Sequence, residues 1–416
     1  MISLPSTDSL RPQTYPMENG HTLYVLPSSS TELVRLDLIH EAGSAYQPQM
    51  LCAAATNRLF TLATAGMSAS EMAEFIDYRG IVVEHNPDIY TCTTTFYFLR
   101  RYFDELLPVV EAMLREPAFP LSEFETFIKK RHQELLASQQ KTADVARKLF
   151  YQNLFGADHP LGRYAVPDDA LRLRRDTVAQ YFVERYPHGA DVVLSGNVDD
   201  AAITRLLRSS EIQRGKGQDD KSAPLAHPVP LSQKSFSAHI PSAGQTSLRV
   251  GRVVPISWDD PDFPLLMLLN TMLGGYFGSR LMSSLREDKG YTYGIYARIQ
   301  IYRGVSVFSI ATDVAGGVAD DAEKEIRREL QRLCDELVSD DELQLVKTVL
   351  TGDFIRSVDG IFERAERLCH MLSTHVTEHF TDNLQMALES ATPTQLQEVA
   401  QRVLLPDTML YCRAGV

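Results

Sequence analysis

Hydrophobic and polar residues alternate along the chain with two periods, one typical of strands and one of helices. Runs of alternating, β-branched or aromatic residues predict strands at residues 34–39, 90–98, 246–254 and 305–312. Apolar positions at helical spacing predict helices at residues 103–115, 122–139 and 320–337. Long helices beside strands joined by short turns predict an α+β fold. We expect helices to cover one face of a mostly antiparallel or mixed sheet.

The chain repeats one pattern at the ends of its two halves. Residues 180–187 have the pattern of a helix stopped by Pro187, followed by a short apolar strand that ends at Gly196. The same order recurs at Pro406 and Gly415, so both prolines and both glycines lie 219 positions apart. This offset indicates that a unit of the fold occurs twice.

Two further pairs support the repeat. Residues 122–125 and 339–342 both have the form S-x-x-E, which predicts a capping box at the start of a helix. Helical patterns that end at Gly80 and Gly290 recur at a similar offset. We therefore predict two homologous domains of about 200 residues each.

Composition places the boundary between these domains. Residues 209–234 are polar, rich in Pro and Gly, and without apolar periodicity, which is typical of a linker. The predicted domains are residues 1–208 and 235–416.

Charge and composition exclude several classes of protein. The 416 residues are 44% hydrophobic and 23% charged, which excludes a disordered chain. The formal net charge is −13, whereas nucleic-acid-binding proteins usually carry a basic surface, so this class is excluded. No apolar run reaches the roughly 18 residues that span a bilayer. The five cysteines show no C-x-x-C spacing, and the first residues lack the features of a signal peptide, so we expect a cytoplasmic protein.

Several motifs resemble those of one peptidase family. The segments LGG at 273–275, SRL at 279–281 and LREDKGYTY at 285–293 resemble the second-domain signature of the insulinase and pitrilysin zinc peptidases, which include the mitochondrial processing peptidases. FGADHPLG at 155–162 and LSGNVD at 194–199 match the first domain. The resemblance runs from about residue 15 to the end, and it implies the two-domain fold of that family.

The family's metal motif is vacated in this chain. The resemblance implies an inverted H-x-x-E-H helix in the first domain, in which two His bind zinc, Glu acts as general base, and a distal Glu completes the ligands. Counted from Gly66, the two His positions hold Asn57 and Thr61, and the base position holds Phe60. Only the distal Glu has a counterpart, Glu134. We therefore expect no cofactor in this chain and no catalysis by its first domain.

A second feature of the family is an Arg and a Tyr in the second domain that reach the zinc site. They match Arg286 and Tyr293, and Gly290 between them predicts a helix end followed by a strand. Cationic and phenolic donors suit a substrate carbonyl and a developing oxyanion. The resemblance implies that these two residues stabilise the transition state.

A literal H-x-x-E-H occurs elsewhere, at His375, Glu378 and His379. If helical, it would place both imidazoles on one face, so an active metallopeptidase remains one interpretation. The leading one, implied by the resemblance, is the non-catalytic subunit of a heterodimeric zinc endopeptidase, forming half of a chamber for unfolded peptide around the partner's zinc. Another is a homodimeric peptide-binding or scaffold protein without a protease partner.

Overall fold

The computed structural model describes residues 4–5, 10–215, 233–241, 243–377 and 379–416 and contains two β-sheets. The first sheet has the strand order β1-β2-β6-β3-β5-β4. Its strands are β1 (Gln13–Pro16), β2 (Thr22–Pro27), β3 (Leu33–His40), β4 (Val82–Pro87), β5 (Cys92–Leu99) and β6 (Asp191–Gly196). The second sheet has the order β7-β11-β8-β10-β9. Its strands are β7 (Ser235–His239), β8 (Gln245–Val254), β9 (Thr292–Tyr302), β10 (Val305–Ala315) and β11 (Leu410–Gly415).

The two sheets share one topology. Without the edge strand β1, the first sheet runs β2-β6-β3-β5-β4, and each strand has a counterpart in the second sheet in the same position. The pairs β2/β6 and β7/β11 are parallel, whereas the other pairs are antiparallel. The predicted α+β class with two similar, mixed sheets is confirmed. Most of the predicted linker, residues 216–232, lies outside the described residues, so the domain boundaries stay a prediction.

Helices surround both sheets. In the first half they are α1 (Cys52–Leu59), α2 (Ala69–Tyr78), α3 (Phe103–Arg115), α4 (Leu121–Ser138), α5 (Thr142–Phe155), α6 (Pro167–Arg172), α7 (Arg175–Arg185) and α8 (Asp200–Leu207). In the second half they are α9 (Phe263–Asn270), α10 (Ala319–Asp335), α11 (Asp340–Arg356), α12 (Ile361–Thr374), α13 (His379–Ser390) and α14 (Pro393–Val403). π-helical turns occupy Thr271–Gly275 and Met282–Asp288. None of the described helices has the length and apolarity needed to cross a membrane.

The helix–turn–strand unit predicted at the end of each half is present in the structure. Helix α7 leads through a 3₁₀ turn, Tyr186–His188, into β6, and α14 leads through Pro406–Thr408 into β11. Gly196 and Gly415 end these strands with φ of 97° and 147°, a region that L-residues rarely adopt. Local sequence therefore determines this unit in both halves.

Only one of the two serines predicted to begin a capping box is the N-cap of its helix. Ser339 is the N-cap of α11 and accepts a hydrogen bond from the Glu342 backbone N–H at 3.2 Å. Ser122 is already inside α4, whose N-cap is Pro120 without a side-chain cap, so the prediction for residues 122–125 is wrong. Pro120, at φ −57°, sets the chain for a helix that begins two residues earlier than the box requires.

One helix of each half packs against the sheet of the other half. Helix α5 packs Phe150 and Leu154 against Val307 and Leu410 of the second sheet. Helix α12 packs Ala365 and Cys369 against the first sheet, while the remaining faces of both sheets are covered by helices of their own half. The halves are thus interlocked through buried apolar contacts.

A polar contact joins the halves as well. Arg303, between β9 and β10, donates to both carboxylate oxygens of Glu41 at 2.8 and 2.6 Å and to the Ser373 backbone carbonyl at 2.9 Å. The Tyr90 ring lies 4.6 Å from the same guanidinium. Because Arg303 is buried, this two-point contact fixes the orientation of the halves more specifically than apolar packing alone.

Candidate functional site

The positions counted as the vacated metal motif lie at the end of α1 and directly after it, and all three are buried. The Asn57 side-chain amide is fully buried and donates to Thr94 Oγ1 on β5 at 2.9 Å. Phe60 directly follows the helix and is also fully buried, with ring centroids 5.7 Å from Phe182 and 5.1 Å from Tyr186. Both side chains therefore belong to the core of the first half.

Thr61, the third counted position, joins a small polar network. Its hydroxyl lies 2.8 Å from His85 Nε2, and Arg58 approaches His85 Nδ1 at 3.1 Å. Burial, followed by the nearby Arg58 charge, lowers the pKa of His85 to about 3, so its imidazole is neutral at physiological pH. Since Arg58 can only donate, Nδ1 accepts, and the Nε2–H group donates to Thr61.

A pocket of about 410 Å³ separates α1 from α4. Its walls include Ala54, Arg58 and Leu62 from the first half's α1 region and Glu134 from α4, together with His85. Ala54 and Arg58 are the two residues of α1 that are not buried, and they lie one helical turn apart. The structure thus brings Glu134 and α1 to one pocket. The face of α1 towards it, however, carries residues 54 and 58 rather than 57 and 61.

The side chains in this pocket do not fit a zinc ion. Arg58 and Lys130 are cations, and Glu134 is paired with Arg131 at 3.0 Å. His85 is held between Arg58 and Thr61, so its ring nitrogens are engaged. Within the described ranges, no group of three or more His, Cys, Asp or Glu residues could hold a metal. A guanidinium at a ligand position brings a positive charge and has no lone pair to donate to a metal ion.

Arg286 and Tyr293 lie where the sequence predicts, on either side of a tight turn. Arg286 is in the last part of the π-helical turn Met282–Asp288, Gly290 has φ 66°, and Tyr293 is the second residue of β9. The Tyr293 side chain is 92% exposed, and the Arg286 guanidinium lies 4.4 Å from the ring of Phe277, which is itself exposed. Strand β9 is at the edge of the second sheet. The Tyr293 side chain therefore faces solvent, and Arg286 is partly exposed, so neither belongs to the buried core.

The second H-x-x-E-H does not form one helical face. Helix α12 ends at Thr374, and His375 has the left-handed φ of 59°. His379 begins the next helix, α13, and Glu378 lies outside the described residues. The helical arrangement considered for this motif is therefore wrong, because the chain turns between the two His.

Sequence reasoning did not single out Arg58 and His85 as site residues. Ala54 and Arg58 lie on one stripe of α1, and Leu62 follows the helix at the same i, i+4 spacing, but a sequence alone does not tell which stripe faces the pocket. His85 comes from β4, whose position beside α1 follows from sheet order.

Comparison with known proteins gives a consistent set of relatives. Residues 173–350 match the family model of the peptidase M16 inactive domain. An uncharacterized zinc protease of Streptomyces coelicolor is 24% identical over 292 residues, which cover 65% of this chain and 60% of that protein. The non-peptidase homolog YmxG of Helicobacter pylori is 25% identical over 243 residues, covering 56% of this chain and 54% of the homolog. This chain thus matches less than two thirds of the length of either relative.

Solved structures of similar proteins share the whole fold. A peptidase M16 inactive domain from Pseudomonas fluorescens superposes with a TM-score of 0.86 at 20% identity, covering 97% of this chain and 98% of that one. A protease from Helicobacter pylori gives a TM-score of 0.85 at 17% identity, with 99% and 100% covered. At these identities the likeness concerns the fold.

Proposed function

We propose that the chain is the non-catalytic subunit of a heterodimeric zinc endopeptidase. Its residues 173–350 match the peptidase M16 inactive domain, and two similar proteins are named a non-peptidase homolog and a probable inactive metalloprotease. One observation carries the proposal. Tyr293 is exposed on the edge strand β9, and Arg286 lies partly exposed in the π-helical turn before that strand; these are the two donors that match the family's second-domain pair. Among the described residues, the chain's own pocket between α1 and α4 has no set of side chains that could hold zinc.

The chemistry of these donors suits a reaction at a partner's metal. A phenol and a guanidinium can donate hydrogen bonds to a carbonyl oxygen as negative charge develops on it. Zinc in the partner subunit would polarise that carbonyl and activate water. Arg286 is already oriented by its contact with Phe277, which lowers the entropy lost when it binds.

In this proposal the two interlocked halves of the chain form one wall of a chamber for unfolded peptide. Phe277, which lies against Arg286, and Tyr293 and Tyr296 on β9 are exposed aromatic residues, and aromatic residues and Arg are enriched at interface centres. We place the partner's contact at this edge.

A second candidate is a homodimeric peptide-binding protein without a protease partner. It is favoured by Arg58, a cation in an open pocket that forms no ion pair with an acid of the described residues. A peptide carboxylate would supply the missing charge. Purification from the native organism followed by mass spectrometry separates the candidates, because only the first requires a co-purifying relative with H-x-x-E-H.

The decisive experiment uses the reconstituted complex with that relative. Tyr293→Phe should lower kcat for peptide cleavage by roughly 10²- to 10³-fold, with a smaller effect on KM, because the contact strengthens as charge develops. Arg286→Ala should have a comparable effect. The matched control is Tyr78→Phe, which alters a tyrosine that is 82% exposed on α2 and should leave kcat unchanged.

Assembly must be measured beside the rate. Both variants should still co-elute with the partner in size-exclusion chromatography, because Tyr293→Phe removes a single hydroxyl and Arg286→Ala leaves the exposed aromatic residues Phe277 and Tyr296 in place. If a Tyr293→Phe, Arg286→Ala double variant supports cleavage at the unmodified rate, the trans-acting role is wrong. The chain would then contribute only a wall.

A further inference from the structure

A small pocket of about 240 Å³ lies on one face of the second sheet, beside the strand that carries Tyr293. Its floor is strand β10, where Ser309 and Ala311 present small side chains, and its sides come from β8, β9 and the start of α5. Gly294, the residue after Tyr293, is part of its wall. The volume is below the roughly 300–1,000 Å³ of sites that enclose a whole small ligand, so the pocket fits one side chain or one chain end.

Strand register brings two arginines to this pocket from opposite sides. Arg249 on β8 pairs with Ala311, and Tyr296 on β9 pairs with the same alanine. Arg298 on β9 pairs with Ser309, which lies two residues before Ala311 on the same face of β10. The small side chains of β10 leave a space between β8 and β9, and both arginines line that space.

The positive charge of these arginines is only partly compensated by the chain. Among the described residues, no acid forms an ion pair with Arg249 or Arg298. Asp313 also lines the pocket, but its carboxylate accepts a hydrogen bond from the Ser247 hydroxyl. Burial and the nearby charge of Arg147 lower the pKa of Arg249, and the attraction of Asp313 only partly offsets them. This local excess of positive charge, in a chain with a net charge of −13, favours an anion.

A ligand can reach the donors of this pocket. Arg298 is exposed, Arg249 is half-buried, and Tyr296 is 50% exposed. No side-chain nitrogen of either arginine is buried without a hydrogen-bond partner, so the nitrogens that lack a partner are open to solvent. Two guanidinium groups and a phenol, which can all donate hydrogen bonds, therefore surround one accessible space.

We propose that this pocket binds a carboxylate of a peptide between Arg249 and Arg298. A carboxylate matches the planar guanidinium and accepts two parallel hydrogen bonds from it. Asp313 repels a phosphate dianion more strongly than a carboxylate, which carries half the charge. The carboxylate comes from an acidic side chain or from the free end of the peptide. As a statement about the substrate of the heterodimer this rests on the proposed function, whereas the binding itself belongs to this chain alone.

Isothermal titration of the full chain without a partner tests the binding with three acetylated, alanine-based nonapeptides. The first has a central glutamate and an amidated end, and the second is its uncharged counterpart with a central glutamine. The third has the central glutamine and a free carboxyl end. We expect a peptide with a carboxylate to bind roughly 10- to 100-fold more tightly than the uncharged peptide, because it gains charge-assisted hydrogen bonds. The peptide that gains affinity identifies the source of the carboxylate, whereas equal affinity of all three, or no binding by any of them, overturns the proposal.

Three variants locate the binding at this pocket. Arg249→Gln and Arg298→Gln should each weaken the preferred peptide roughly 10-fold, and Ala311→Leu should abolish binding by filling the pocket while both arginines are kept. Arg356→Gln, on α11 and 78% exposed, is the control and should bind like the unmodified chain. Circular dichroism checks that each variant is folded.

Unchanged affinity in all three variants would place the peptide elsewhere and refute the proposal. These measurements need neither a partner nor cleavage. A failure here therefore leaves the role of Tyr293 in trans untouched, and a normal cleavage rate with Tyr293→Phe leaves the carboxylate site untouched.

Discussion

Two histidines placed on α1 should bind zinc in one register and not in another. The first variant is Ala54→His with Arg58→His, which puts two imidazoles on the face that lines the pocket with Glu134. The second is Asn57→His, Phe60→Glu and Thr61→His, the register counted from Gly66. Two His and one Glu are a known ligand set for zinc in peptidases.

The two variants should differ in how much stability they lose. Ala54 and Arg58 are the unburied residues of α1, so exchanging them should change stability by about 0.5–1 kcal/mol. Removing the fully buried Phe60 ring costs about 3–5 kcal/mol, before the cost of burying a carboxylate. Replacing buried Asn57 breaks its bond to Thr94 and overpacks the site, at about 1–3 kcal/mol more.

The second variant should therefore lose on the order of 4–8 kcal/mol, a large part of the 5–15 kcal/mol by which a domain is stable. Urea denaturation followed by circular dichroism measures this loss, and zinc titration with elemental analysis measures binding. In the first variant, one zinc per chain should be bound. Adding Glu134→Gln should weaken that binding at least about 10-fold. The reasoning is refuted if the second variant is as stable as the unmodified chain and binds zinc while the first does not.

Three other outcomes follow from the structure. The unmodified chain should hold no stoichiometric zinc and cleave no peptide, and elemental analysis that finds zinc lost on His375→Ala would contradict this. Glu41→Gln should lower the free energy of unfolding by about 1–3 kcal/mol, measured in urea, because it leaves buried Arg303 short of its carboxylate. Its control, Glu105→Gln in an exposed ion pair, should cost less than about 0.5 kcal/mol. Burial lowers the pKa of His40 to about 3 from about 6.5 in the unfolded chain, so stability should fall as pH drops from about 6.5 towards 3. His40→Phe should reduce that slope by up to about 1.4 kcal/mol per pH unit in an acid titration of unfolding, and an unchanged slope would refute the assignment.

The sequence by itself determined features that depend on local backbone chemistry. Pro187 and Pro406 end helices because proline cannot donate the hydrogen bond that continues them, and Gly196 and Gly415 allow backbone angles that other residues avoid. Gly290 turns the chain between Arg286 and Tyr293 for the same reason. These restraints act within a few residues, so the repeated unit and the α+β class were predictable.

Only the tertiary structure decided which side chains meet. The periodicity of α1 is compatible with several faces towards Glu134, and the face with Ala54 and Arg58 is selected by contacts with strands and helices far along the chain. No local sequence pattern shows that α5 and α12 pack against the sheet of the other half, because both are amphipathic helices that could cover either sheet. Likewise, His375 and His379 have the spacing of a metal motif, but the turn between α12 and α13 separates them. The spacing of residues limits which of them can share one face of a helix. Burial against distant elements determines which face is used, because the energy of packing comes from contacts that sequence order does not specify.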